Sequence, residues 1–253
     1  MRKTLAIASI TFLQGFRTQT FRIVGMLFVA IMAMTYALRV LSVGHKEMML
    51  RSFGLSIMEI SSLLLIIFGC VSSFYRERET RLQAIHLTYV SSFDHVLGRL
   101  LGNCLLIGAY TIFATIGCAL VLWHEGAWSW VFIVGAWSIF LKLCIICAFC
   151  SLFANLFGSP VFASLMTVFI YFAAEYASYP LEMIRRSSTV VPQSISRLVY
   201  HLLPNFDKID LKYSAIHGES VAVMLLVEIT LYTLLYMAIV FIPSWRVFAR
   251  HEH

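Results

Sequence analysis

The chain has 253 residues, 60% of them hydrophobic and 13% charged, with a formal net charge of +6 and a mean hydropathy of +0.84. An ordinary globular domain carries about twice that charged fraction, so this much apolar surface cannot be hidden in a water-soluble fold and the expected solvent is lipid. The basic residues are scattered through short segments rather than gathered on one polar domain, which points to an anionic membrane leaflet and away from nucleic acid.

At the start of the chain, Met1-Arg2-Lys3 followed by Thr4-Leu5-Ala6-Ile7-Ala8 imitates a secretory signal, but Gln14 and Arg17 interrupt the apolar run and a full spanning stretch follows. Projected at about 100° per residue, Leu5, Phe12, Leu13 and Phe16 share one face, with Lys3, Thr11 and Gln14 opposite. Residues 1–19 are therefore expected to form a helix along the membrane interface. A plain extension of the first spanning helix is the alternative.

Crossing a hydrocarbon core about 30 Å thick takes roughly 20 apolar residues at 1.5 Å each. Six stretches qualify: residues 21–40, 54–74, 97–123, 128–156, 161–178 and 221–242. The fourth is long enough to project beyond the membrane at one end. The expected fold is an all-α integral membrane protein, six transmembrane helices with an N-terminal interfacial helix, in a single transmembrane domain over residues 1–253.

Lys and Arg placement sets the expected orientation. With the N-terminus cytoplasmic, that side holds ten of them, including Arg2, Lys3, Arg17 and Arg22, against eight on the other side, five of which lie in the long loop 179–219. The bias is strongest near the first helices. Both termini are therefore expected in the cytoplasm.

Two loops carry pattern. The segment 75–96 includes Arg76-Glu77-Arg78-Glu79-Thr80-Arg81, five of six residues charged, then Leu82, Ile85 and Tyr89 at helical spacing, then Ser91-Ser92-Phe93-Asp94 as a stop and restart. Such a segment forms a short helix along the membrane, with a charged side on which a soluble motor can push. In the extracytoplasmic loop 179–219, Ile195, Leu198, Val199 and Leu202 recur at helical spacing until Pro204. That helix is either a gate or docking surface for an extracytoplasmic acceptor, or a lid over helix ends. Asn205-Phe206-Asp207-Lys208-Ile209-Asp210 then leads back to the last span.

Four ionisable residues fall inside the spans: Glu59, Lys142, Glu175 and Glu228. A charge at mid-bilayer costs at least about 2.5–3.5 kcal/mol on insertion scales, so each needs a partner or water. They are candidates for a substrate path or for Glu–Lys pairs that exchange during opening. The bland readings are interfacial hydration for Glu59 and Glu175 and a helix–helix bond for Glu228.

All six cysteines, Cys70, Cys104, Cys118, Cys144, Cys147 and Cys150, lie in spans. The Cys-x-x-Cys-x-x-Cys run spreads over roughly 120° and climbs about 9 Å of helix, so it cannot by itself surround a tetrahedral ion. Core packing is the expected role, with no metal and no disulfide. The chain contains no His-Glu-x-x-His, no Gly-x-Ser-x-Gly and no phosphate-cradling Gly-x-x-x-x-Gly-Lys-Ser/Thr, so it is not expected to be an enzyme or to bind a cofactor itself. Gly98-x-x-x-Gly102 permits close helix contact.

The runs Glu77-Arg78-Glu79-Thr80-Arg81-Leu82, Tyr89-Val90-Ser91-Ser92 and Leu97-Gly98-Arg99 resemble the pattern of ABC-2 type transporter permeases. Those proteins show an acidic pair, a Gly-Thr-Leu-like turn, a Pro-Val-Ser-Arg-like turn and a Gly-Lys opening the third helix. Here Arg81 interrupts the first turn, Tyr89 stands at the proline and Arg99 at the lysine. The six-helix layout and Leu203-Pro204-Asn205-Phe206 before the last helix are also similar, particularly to the branch associated with copper-enzyme maturation.

The resemblance implies a permease subunit of the bacterial plasma membrane, paired with a second copy and with an ABC ATPase subunit that holds the ATP-Mg. Arg76, Glu77, Arg78, Glu79, Thr80, Arg81 and Leu82 would form the ATPase-coupling segment, and export is the implied direction. A secondary transporter, or a non-transporting scaffold or assembly subunit, is the alternative reading.

Overall fold

The computed structural model describes residues 2–38, 46–79, 90–177 and 203–250, which are helical almost throughout, with no strand among the described residues. The central rod is α6, Val131–Leu156 in the numbering used below, with buried residues on every side from Ser138 to Cys150. A helix apolar all round belongs in the middle of a bundle.

Helix α1, Arg2–Arg17, ends in a bend at Thr18, whose N–H and hydroxyl both donate to the Gly15 carbonyl at 3.2 and 2.6 Å. Helix α2, Gln19–Leu38, then leaves in a new direction, and α1 packs mainly on α5, Ser92–His124, rather than on α2. It is a separate helix, not an extension of α2. Its bundle-facing side is the small one, Thr4, Ala8, Thr11 and Gly15 with Ile7, while Leu5, Leu13 and Phe16 stay exposed. Gly98 and Gly102 make the approach possible. A Cβ on Gly98 would stand 2.8 Å from the Thr4 carbonyl oxygen, and one on Gly102 2.7 Å from that of Ala8. The small-residue motif is thus spent on a crossing inside the chain.

The second expected span is longer than 54–74. It runs as α3, Lys46–Leu65, a π-helical turn Ile66–Cys70, and α4, Val71–Glu79. Ser61 and Ser62 back-bond to the carbonyls of Ile57 and Met58 at 2.6 and 2.7 Å just before the π turn, and the Ser72 hydroxyl donates to the Phe68 carbonyl within it. Hydroxyls that satisfy carbonyls in this way ease a local change of helical pitch. Helix α5 starts earlier than residue 97, because Ser91 caps it by accepting from the Asp94 N–H at 3.2 Å, while Asp94 accepts from Thr4 of α1 at 2.8 Å.

The fifth expected span, 161–178, is a shorter helix. Helix α7 is Pro160–Glu175, opened by Pro160 in its first turn and held by the Tyr75 hydroxyl on the carbonyls of Phe157 and Ser159 at 2.7 and 3.0 Å. Its 16 residues reach about 24 Å, short of a hydrocarbon core of about 30 Å. Among the described residues, five helices are long and apolar enough to cross a membrane: Gln19–Ala37, Lys46–Glu77, Ser92–His124, Val131–Leu156 and Val223–Arg250.

Beyond α7, the described chain resumes at Leu203 with a 3-10 turn, Phe206–Lys208, and helix α8, Lys212–His217, closed by Gly218 at φ +75°. Helix α9, Val223–Arg250, continues past Ile242 and through Pro243, where Ser244 is buried and receives the Asn155 amide on its hydroxyl at 3.1 Å. The expected helix around residues 195–202 lies outside the described residues. Large apolar side chains of α2, α7 and α9, such as Met26, Phe169 and Leu235, are exposed on the outside while charges are buried within. That is the reverse of a water-soluble fold and suits a lipid surround.

Candidate functional site

Three of the four charges expected within spans converge, and two residues of the returning loop join them. Lys142 of α6 is fully buried, with its Nζ 2.6 Å from Asp210 Oδ2, 3.3 Å from Glu175 Oε2 and 3.8 Å from Glu59 Oε1. Lys212 pairs with Glu59 Oε2 and lies 3.8 Å from Asp210 Oδ2. The Phe206 ring supports Lys142, its centroid 5.6 Å from the ammonium, and Tyr171 packs on Phe206 at 6.2 Å. Three carboxylates against two ammonium groups leave the ionised cluster one negative charge in excess.

The backbone explains the meeting. Glu175 is the last residue of α7 and Lys142 the twelfth of α6, about 17 Å from the start of that helix. Helix α7 therefore stops inside the bundle, with its negative C-terminal end and a carboxylate directed at the ammonium. The space beyond it is taken by residues 203–217, of which Phe206, Ile209, Leu211 and Ala215 are buried. Ala215 sits under Gly135, where a Cβ would come within 2.7 Å of the alanine methyl.

Irregular backbone at this depth must find internal partners. The Asn205 N–H donates to the Tyr232 hydroxyl at 3.1 Å, Asp207 N–H to Asn205 Oδ1 at 3.0 Å, and the N–H groups of Ile209 and Asp210 to the Phe206 carbonyl at 2.9 Å. Asp210 Oδ1 also accepts the N–H of Lys212 at 2.8 Å and so starts α8.

Arg51 anchors this end. It donates to the Ala127 carbonyl at 3.0 and 2.7 Å and to that of Ile216 at 3.3 Å, joining α3 to the α5–α6 turn and to α8. Arg51→Met is expected to lower stability by about 2 kcal/mol. Hydrogen exchange should read it as faster exchange confined to residues 124–130 and 212–217.

Asp210 lies outside the membrane-length helices. Burial pushes its carboxyl up, but the charges of Lys142 and Lys212 and their hydrogen bonds outweigh this and hold it below the ordinary aspartate range. A depressed folded value contributes stability that is complete above the unfolded value of about 3.9 and is lost as pH falls through the folded one. Melting curves of the wild type and Asp210→Asn should therefore be fully separated above about pH 4, draw together as the pH falls below it, and meet only under the folded value.

Glu228 does not join the cluster; it is exposed on the outer side of α9. At the opposite end, Arg76 is exposed, but Glu77 is turned inward onto Arg99, Oε2 to Nη1 2.9 Å, both side chains buried and the guanidinium 3.6 Å from the centre of the Phe74 ring. Arg78 and Glu79 close α4. Thr80, Arg81 and Leu82 lie outside the described residues. The thiols of Cys144 and Cys147 each approach that of Cys104 between α5 and α6, yet no group of three or more His, Cys, Asp or Glu among the described residues is placed to hold a metal.

Asp210 and Lys212 escape sequence reasoning because a polar loop is ordinarily solvated. The available signal was Asp210-x-Lys212 directly after Ile209, interleaved with the apolar Phe206, Ile209 and Leu211.

These features define a class: an all-helical chain, among its described residues, with several helices of membrane-spanning length and a buried ion cluster, compatible with a multi-pass membrane protein. No protein-family model matches the chain, and no curated protein matches it.

Proposed function

We propose that the chain is the membrane-spanning permease subunit of an ABC transporter of the bacterial plasma membrane, with both termini cytoplasmic. It works as a pair of permease copies driven by a separate ATPase subunit and moves its substrate outward. The observation that carries the transport reading is the five-charge cluster where α7 stops and residues 203–217 fold in. Two elements meet there through exchangeable ion pairs as well as through apolar packing, so a small displacement reconnects the charges in new pairs and opens the bundle at that end.

The ABC part of the reading is supported by the charged run from Arg76, by the three motif-like segments, and by the lack of any phosphate loop in the chain. The turning of Glu77 onto Arg99 leaves Arg76 as the described charge of that run which faces outward. The test is purification from native membranes followed by identification of co-purifying ATPases and measurement of ATP hydrolysis. With an ATPase bound, Lys142→Met should uncouple hydrolysis from substrate; normal assembly with unchanged coupling would remove Lys142 from the path.

One observation favours a second reading, an ion-driven secondary transporter. Such proteins place charged sites at interrupted helices near the midplane, and here α7 ends inside the bundle while α3 and α4 are joined by a π turn. Uptake or efflux in proteoliposomes containing this chain alone, driven by an ion gradient without ATP, would select it.

A further inference from the structure

At the end of the bundle that carries α1, a groove of about 590 Å³ opens between the last turn of α1 and the last turn of α4. Its walls are Ile10 and Leu13 on the apolar side and Gln14, Arg17, Thr18, Arg76 and Glu77 on the polar side. The carboxylate of Glu77 is already matched by Arg99 at 2.9 Å, so counting these four groups (Arg17, Arg76 and Arg99 against Glu77) leaves a balance of two positive charges. Arg17 and Arg76 are both exposed.

The depth of the groove follows from the helices that form it. Arg17 and Thr18 immediately precede the membrane-length run Gln19–Ala37, and Arg76 and Glu77 end the run Lys46–Glu77. Two candidate spans thus place their end residues on the same opening, on the side of the bundle where the membrane reading puts lipid headgroups. Leu5, Leu13 and Phe16 on the exposed side of α1 continue the apolar wall outward.

We propose that this groove binds an anionic membrane phospholipid, with Arg17, Arg76 and the Gln14 amide on its phosphate and Ile10 and Leu13 along the first methylenes of an acyl chain. Guanidinium groups suit phosphate oxygens because their N–H donors pair with them in a fixed planar fork. Basic pockets at the headgroup level of helix bundles recognise lipid phosphate through the same chemistry. The lipid then ties α1 to α4 and so to the segment that follows α4. The inference does not depend on the transport reading.

Native mass spectrometry of the full chain, released from micelles carrying equal amounts of phosphatidylglycerol and phosphatidylcholine, tests it. Two arginines at the headgroup predict a preference for retained phosphatidylglycerol of about thirtyfold. Arg17→Gln with Arg76→Gln should bring the two lipids to parity. Arg22→Gln, at an exposed arginine near the same level that does not line the groove, should leave the preference intact. Equal retention of both lipids by the wild type overturns the proposal, as does an undiminished preference in the double variant; the wild-type comparison stands even if that variant does not survive extraction. Inorganic phosphate at millimolar concentration should not displace the lipid. Displacement would assign the groove to soluble phosphate and overturn the lipid assignment.

Discussion

Lys142→Met is expected to destabilise the protein by about 3–5 kcal/mol, the range for removing one partner from a buried ion pair. The substitution nearly preserves volume, so the loss is electrostatic: Glu59, Glu175 and Asp210 would face one another with Lys212 as their remaining cation within the cluster. Thermal unfolding in detergent reads the change. A second substitution separates charge from packing. Glu59→Gln in the Lys142→Met background removes one carboxylate and should recover part of the loss, whereas Glu59→Gln alone should destabilise, because it weakens the contacts to Lys142 and Lys212. Additive effects in this cycle would mean that the two residues are not coupled.

Gly98→Val and Gly102→Leu should have the second large effect, release of α1 from α5. Their first side-chain atom would meet backbone, the carbonyl oxygens of Thr4 at 2.8 Å and Ala8 at 2.7 Å, which no rotamer change relieves. Overpacking of this kind costs about 1–3 kcal/mol and more where backbone must move. Hydrogen exchange over residues 4–15 is the measurement, with exchange in either variant approaching that of an unprotected helix. Gly108→Ala is the control. Its Cβ would lie 3.2 Å from the Phe140 ring edge, a side chain able to yield, so exchange in α1 should be unchanged.

The two predictions concern features of different legibility. Gly98-x-x-x-Gly102 was readable as a close-contact motif, but its partner was not. The apolar side of α1 reads as the face laid along the membrane interface, but nothing in the sequence shows that the small side built from Thr4, Ala8, Thr11 and Gly15 is buried on α5. Close approach selects for small residues, and lipid accepts the bulky ones. Glu77 shows the same difficulty. In a run of charges it reads as solvated, yet one turn of α4 carries it over Arg99 of α5, which lies 22 residues away in sequence.

Helix α7 illustrates a further limit. The run from residue 161 to 178 holds a single charged residue, Glu175, so composition predicts a full span. The helix ends at Glu175 because that carboxylate finds Lys142 there and because residues 203–217 occupy the remaining depth with internally bonded backbone. A window of hydropathy cannot register a neighbour supplied from 28 residues or more downstream.

The amino-acid sequence by itself determined that the chain is too apolar for an ordinary water-soluble fold, that helices carry the chain, that Glu59, Lys142, Glu175 and Glu228 lie within apolar segments, and that Ser91 restarts a helix. These follow from composition and from the periods of 3.6 residues and 1.5 Å that any helix imposes. Tertiary structure alone decided which charges meet, that Asp210 and Lys212 complete the cluster while Glu228 stays outside it, and that α7 stops inside the bundle. Ion pairing depends on distances of a few ångströms between side chains far apart in the chain, and only the packing of α3, α6, α7 and the returning loop sets those distances.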